Sequence, residues 1–225
     1  MSQGRPPSGG SLGRVVFVIA VAAAAGAWLG MDYFAHPVAP SRPALELKAG
    51  TLLPRPKALK PFTLTDQNGK PFTLDNLRGY WTFLAIGYTS CPDICPTTLA
   101  TFRALSRQIT AKGAKPAAQF AFVSVDPGRD TPERLAQYVH YFDPSFLGAT
   151  GSDRNLQALT GQLRLPYARV EDKGSALGYL MDHSAAIVLI DPKARFTAVF
   201  SSPHDPKAMA ADFAAIKAEL PPPSK

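Results

Sequence analysis

Three short apolar runs decide what this chain can fold into: Trp81–Tyr88, Gln119–Asp126 (QFAFVSVD) and Ser184–Asp191 (SAAIVLID). Each reads as a buried strand. Between and after them the apolar period changes to that of a helix. Leu99, Phe102, Leu105 and Ile109 share one face, and Leu135, Tyr138, Val139 and Phe142 another. Leu156, Leu159 and Leu163 form a third stripe, and Met209, Phe213, Ile216 and Leu220 a fourth. Strands that alternate with helices need a sheet covered on both faces, which makes this an α/β chain.

Two details refine that class. Asp66-Gln67-Asn68-Gly69 lies between Pro61–Leu64 and Pro71–Leu74, and Asn-Gly between alternating segments signals a β-hairpin. Arg195–Phe200 should pair antiparallel with the last buried strand across Asp191-Pro192-Lys193. A β-α-β unit followed by β-β-α is the thioredoxin arrangement. The expected fold is thus thioredoxin-like, a central mixed sheet flanked by helices with an N-terminal hairpin extension.

The 225 residues leave room for one domain, an anchor and a linker. Val15–Met31 (VVFVIAVAAAAGAWLGM) holds no charged residue, and Arg5 and Arg14 precede it without an acid. As a helix it would span about 25 Å, the lower limit for a bilayer crossing. Positive flanks stay in the cytoplasm, and Trp28 and Tyr33 fall near the outer interface. The expectation is a transmembrane helix in a bacterial inner membrane, single-pass, with the C-terminal domain facing the periplasm. Ala23-Ala24-Ala25 also permits a cleaved signal peptide, which exports the domain equally. Pro37, Pro40, Pro43, Pro54 and Pro56 mark residues 32–58 as a semi-rigid spacer. The expected organisation is therefore a cytoplasmic stretch 1–14, an anchor 15–31, a Pro-rich linker 32–58, a domain 59–220 and a tail 221–225.

Of the net charge of +7, residues 1–58 contribute +4. No basic cluster is left for the domain, which argues against a nucleic-acid partner.

The chemistry lies in Cys91-Pro92-Asp93-Ile94-Cys95-Pro96, directly after the first buried strand. Open α/β sheets place their sites at that end of a strand. Pro96 suits the first turn of the following helix, whose N-terminal dipole favours thiolates. Both sulfurs are expected to ionise readily. A domain of roughly 160 residues buries about 70% of its surface and needs no staple. A disulfide across so short a loop would also stabilise little. The C-x-x-x-C spacing fits either a metal clamp or a redox pair. His183, at the entry to the third buried strand, is the third candidate ligand. His140 and His36 belong to solvent and linker, and His204 sits on a loop before the last helix. Two thiolates and an imidazole suit copper; structural zinc wants four ligands and Mg²⁺ or Ca²⁺ wants oxygens. Asp93 and Asp182 are secondary candidates for tuning the metal.

Three stretches together resemble the Sco/SenC family of copper chaperones: Gly87–Leu99 with its C-P-D-x-C-P element, Asp182-His183-Ser184, and Ser124–Pro132 (SVDPGRDTP). The resemblance covers roughly residues 59–220. It departs at Tyr88-Thr89-Ser90, where members often carry Phe-Thr-His in a position that is not a ligand. The resemblance implies Cys91, Cys95 and His183 as ligands of one copper, Cu(I), Cu(II) or both. It implies delivery to the dinuclear copper site of cytochrome c oxidase subunit II, with an upstream copper donor and a thiol reductant as further partners. Such a metallochaperone is not strictly an enzyme. Two alternatives use the same residues: a thiol–disulfide reductase for the acceptor's cysteines, with Cys91 and Cys95 catalytic, or a copper or redox sensor. Ile94–Thr97 faintly echoes a peroxidatic motif, but no distant resolving cysteine exists. In and after Ser124–Pro132, Thr131 with Pro132, or the acids Asp130 and Glu133 as a capping-box-like pair, suit a helix start, and a partner contact by Arg129 is the lesser alternative.

Overall fold

The computed structural model describes residues 10–35, 45–110, 117–174 and 178–220, with backbone alone at 10–14, 29 and 32–35. The tail 221–225, residues 1–9 and the linker positions His36, Pro37, Pro40 and Pro43 lie outside the described residues. The chain divides into two units, Met1–Ala44 and Leu45–Lys225.

The first unit holds helix α1 (Gly10–Ala35), which contains the expected anchor. Val15, Val16, Phe17, Val18, Ile19 and Val21 on it are exposed. Among the described residues, no helix is long and apolar enough to cross a membrane. The anchor therefore rests on the sequence argument alone.

The second unit is built on an eight-stranded sheet. Its strands in chain order are β1 (Gly50–Ala58), β2 (Leu64–Asp66), β3 (Pro71–Phe72), β4 (Thr82–Gly87), β5 (Gln119–Ser124) and β6 (Leu147–Thr150). After a separate two-stranded ribbon, β7 (Tyr167–Glu171) and β8 (Tyr179–His183), come β9 (Ile187–Ile190) and β10 (Arg195–Phe200). The sheet order is β1-β10-β9-β4-β5-β6-β2-β3, with β4–β5–β6 parallel and the other pairs antiparallel.

Every β4 residue is buried, because alternate side chains enter two different cores. Phe83 and Ala85 join Phe120 and Phe122 under α2 (Ile94–Ile109), α3 (Pro132–Phe142) and α5 (Pro206–Glu219). Leu84 and Ile86 join Ala121, Val123 and Val188 under α4 (Asp153–Leu163) and the hairpin residues Leu64 and Phe72. All four helical stripes read from the sequence face these cores. The expected mixed sheet with helices on both faces is what forms. The hairpin forms too, with Gly69 at φ +75° in its turn, where a side chain would be strained.

Two expectations need correction. Residues 50–58, expected as spacer, form edge strand β1, pairing Gly50–Leu52 and Lys57–Ala58 with β10 around a register shift. Pro54 and Pro56 sit in that irregular stretch, where a missing N–H breaks no ladder. The chain enters the domain through Asp212 of α5, a buried carboxylate that accepts the N–H groups of Lys48, Ala49 and Gly50 at 2.7–2.9 Å. The domain thus starts near Leu45. The second correction concerns His183, which ends β8 rather than opening the buried strand; that strand starts at Ile187.

Candidate metal centre

The cysteines sit where β4 hands over to α2. Asp93 is the N-cap by backbone geometry alone, without a side-chain cap. Pro96 is the third helical residue, inside the first turn as expected. Cys95 is buried and Cys91 half-buried, and both are free thiols. Gly87, the last residue of β4, makes room for the site. A Cβ there would lie 2.6 Å from Cys95 Sγ and 2.7 Å from Phe122, closer than atoms pack. Nothing in the sequence marked Gly87 except that it ends an otherwise side-chain-rich strand.

Asp130 fixes the loop between strand and sulfurs. Its carboxylate is buried and accepts from Thr89 N–H at 2.8 Å, Thr89 Oγ1–H at 2.6 Å and Ser124 Oγ–H at 2.5 Å. It was expected only as a helix-start acid. That role falls to Thr131, whose Oγ1 accepts Arg134 N–H with Pro132 opening α3. Arg134 in turn donates to Thr89 Oγ1 and Ser90 Oγ at 2.7 and 2.9 Å, bracing the residues that lead into Cys91.

His183 arrives from the ribbon. Its Nδ1 lies 3.1 Å from the Ser184 carbonyl oxygen, which only accepts, so Nδ1 carries the proton. In the neutral ring the lone pair is then on Nε2, which lies 3.3 Å from Cys95 Sγ. Carbonyl support of this kind is how metal-binding imidazoles are oriented. The ring meets Tyr88 edge-on, with centroids 5.9 Å apart. Among the described residues, Cys91, Cys95 and His183 are the His, Cys, Asp or Glu group whose donor atoms all lie within 4.8 Å of one another. Residues 88 positions apart in sequence thus converge on one point.

The other sequence candidates lie elsewhere. Asp93 and Asp182 are exposed and supply no atom to this group. His140 is exposed on α3. His204 turns its Nε2 to the Phe200 carbonyl at 3.2 Å, and burial holds its imidazole below the ordinary range.

The two thiols are electrostatically unequal. A hydrogen bond from the Cys95 thiol, helped by the N–H groups of Asp93 and Cys95, holds Cys91 down to about 4. The bond to Cys91 and burial push Cys95 well above the thiol range. The metal-free pair therefore carries one shared proton at neutral pH, not the two free thiolates expected from the helix dipole. The donor chemistry of two sulfurs and an imidazole fits a soft ion.

Comparison with known proteins agrees with this geometry. The SCO1/SenC family model matches residues 51–218. A mitochondrial SCO2 homolog of Bos taurus is 34% identical over 207 residues, covering 88% of this chain and 73% of its own. The copper-bound ScoI structure from Arabidopsis thaliana has TM-score 0.66 and 33% identity, over 72% of this chain and 98% of that one. Copper-bound ScoI from Bradyrhizobium japonicum has TM-score 0.61 and 38% identity, over 72% and 99%. With its thioredoxin-like α/β fold and its match over most of the second unit, this chain belongs to the SCO1/SenC family.

Proposed function

We infer that this protein is a membrane-anchored copper chaperone whose Cys91, Cys95 and His183 take up one copper ion and pass it to an acceptor by ligand exchange. One observation carries the reading: three soft or borderline donors lie within 4.8 Å on two separate pieces of chain. Copper bound in relatives of the same fold supports it. Uptake displaces the proton that Cys91 and Cys95 share, so both sulfurs and Nε2 face the cargo. Half-buried Cys91 lies toward solvent, while Cys95 lies behind it. An acceptor thiolate approaching from outside therefore replaces Cys91 first and Cys95 last. By family, the acceptor is the dinuclear copper site of cytochrome c oxidase subunit II, supplied through an upstream copper donor and a thiol reductant.

The expected setting is a bacterial inner membrane, with residues 15–31 as single-pass anchor, 1–14 cytoplasmic and the domain in the periplasm. The support is the uncharged stretch Val15–Met31 with Arg5 and Arg14 before it. The domain begins near Leu45 rather than residue 59, with a correspondingly shorter linker.

The unequal thiols favour a second activity, thiol–disulfide exchange. Cys91 thiolate would attack an acceptor disulfide, breaking its S–S bond and forming a mixed disulfide. Cys95, after losing its proton, would displace the second acceptor sulfur. This chain ends as the Cys91–Cys95 disulfide and the acceptor as a dithiol. The test is titration of the reduced full chain with Cu(I), followed by mixing with the soluble copper domain of an oxidase subunit II. The chaperone reading expects one tight equivalent and movement of copper to the acceptor. Reduction of an oxidised acceptor without any copper transfer would leave the reductase reading in its place.

A further inference from the structure

We propose that Arg129 is the positioning residue of the site, a latch that fastens the histidine ribbon to the body of the domain and thereby sets His183 against the two sulfurs. The need for a latch follows from the topology. Cys91 and Cys95 belong to the crossover of the eight-stranded sheet, while His183 is the last residue of a ribbon that is a separate sheet. No ladder hydrogen bond joins the two sheets among the described residues.

Arg129 lies in the loop after β5, on the body, and its side chain is only 8% exposed. Its Nε is paired with the buried carboxylate of Asp126. Its Nη1 donates to the backbone carbonyl of Tyr179, the first residue of β8, at 3.3 Å. Asp126 completes the clasp by accepting from Tyr179 Oη–H at 2.8 Å. The guanidinium also stacks between the rings of Tyr179 and Tyr88, 4.2 and 5.1 Å from their centroids. Tyr88 precedes the cysteine loop and meets His183 edge-on. One cation therefore touches both halves of the site.

Among the described residues, its buried Nη2 has no hydrogen-bond acceptor. So enclosed a side chain cannot be the partner contact that its loop position suggested.

The latch rests on the reading that His183 is a ligand, and the test separates the two. In metal-free, reduced full-length protein, Arg129→Met should speed amide hydrogen exchange in Tyr167–Glu171 and Tyr179–His183 and leave β4 and β5 unchanged. Cu(I) affinity, measured by competition with a chelator, should fall about 10–100-fold, the usual cost of losing a residue that orients a ligand. In a His183→Ala background the same substitution should cost nothing further. Arg129→Lys should behave like Arg129→Met, because one ammonium cannot hold Asp126 and the Tyr179 carbonyl together. Tyr179→Phe, which removes only the hydroxyl bond to Asp126, should shift exchange the same way by less. Unchanged ribbon exchange would overturn the proposal. So would faster exchange spread through β4 and β5, or an equal affinity loss without His183. If His183→Ala alone keeps full affinity, the ligand reading fails, while the exchange pattern still judges the latch.

Discussion

The cysteine half and the histidine half of the centre are held in opposite ways. Cys91 and Cys95 stand on a strand-to-helix crossover that buries all of β4, with Asp130 tying Thr89 and Gly87 clearing space for the inner sulfur. His183 stands on a ribbon whose first strand is mostly exposed, with residues 168–171 all facing solvent. Its ties to the body are fewer, chiefly the Asp126, Arg129 and Tyr179 clasp, Met181 packed against both cores, and the Tyr167 bond to Asp153 at 2.6 Å. Local opening should therefore be cheaper on the histidine side than on the cysteine side. Under the proposed chaperone role, this asymmetry would let the imidazole yield more readily than the inner sulfur of Cys95, the donor that ligand exchange displaces last.

The sharpest way to break that comparison is to remove one donor from each half. Cys95→Ser should nearly abolish Cu(I) binding, well beyond the roughly 10–100-fold that loss of a supporting residue costs. His183→Ala should lower affinity by less than Cys95→Ser, read by the same chelator competition. Equal losses would mean that the two halves are equally essential and would undo the asymmetry.

Next in size is Gly87→Ala. The added methyl would collide with Cys95 Sγ and Phe122, and overpacking of this kind costs about 1–3 kcal/mol. Urea unfolding should show the lower stability, and Cu(I) affinity should fall with it. A comparable alanine at exposed Gly161, where nothing lies within 4 Å, should do neither.

The pH dependence sharpens the cysteine half. In the reduced, metal-free protein, alkylation of Cys91 should keep its thiolate rate down through neutral pH and drop only near about 4. Cys95 should stay unmodified, and mass spectrometry of the labelled chain separates the two. Cys91 is held below its unfolded value, so its contribution to stability is present above that value and is lost as pH falls through about 4. An alkylation profile centred near the ordinary thiol value of about 8.5 would remove the shared-proton account.

The smallest expected effect lies away from the site. Burial keeps His204 neutral in the folded state, so the unfolded chain binds the proton first as pH falls below about 6.5. Stability is then full above that pH and declines below it. His204→Gln should flatten the decline in urea midpoint, which checks that the histidine outside the centre plays a packing role only.

How legible each half was in the sequence follows the same division. The buried strands, all four helical stripes and the cysteine turn could be read locally, because their apolar periods and the proline in the first helical turn are local signals. Strand β1 was hidden by Pro54 and Pro56, which an irregular edge strand tolerates, and by an Asp212 anchor more than 160 residues away. Strand β6 is four residues with a glycine, too short to show a period. The ribbon was invisible because its exposed faces carry no apolar alternation. His183 could be picked out as a residue, but the element that carries it could not. Arg129 looked like a surface charge in a loop, and only the fold places Tyr88 and Tyr179 around it.

The convergence itself is tested most directly by X-ray absorption at the copper edge of the Cu(I)-loaded, reduced full chain, compared with its His183→Ala variant. The account predicts two sulfur scatterers and one nitrogen in the native protein, and loss of the nitrogen with both sulfurs kept in the variant. Identical spectra from the two proteins would contradict it.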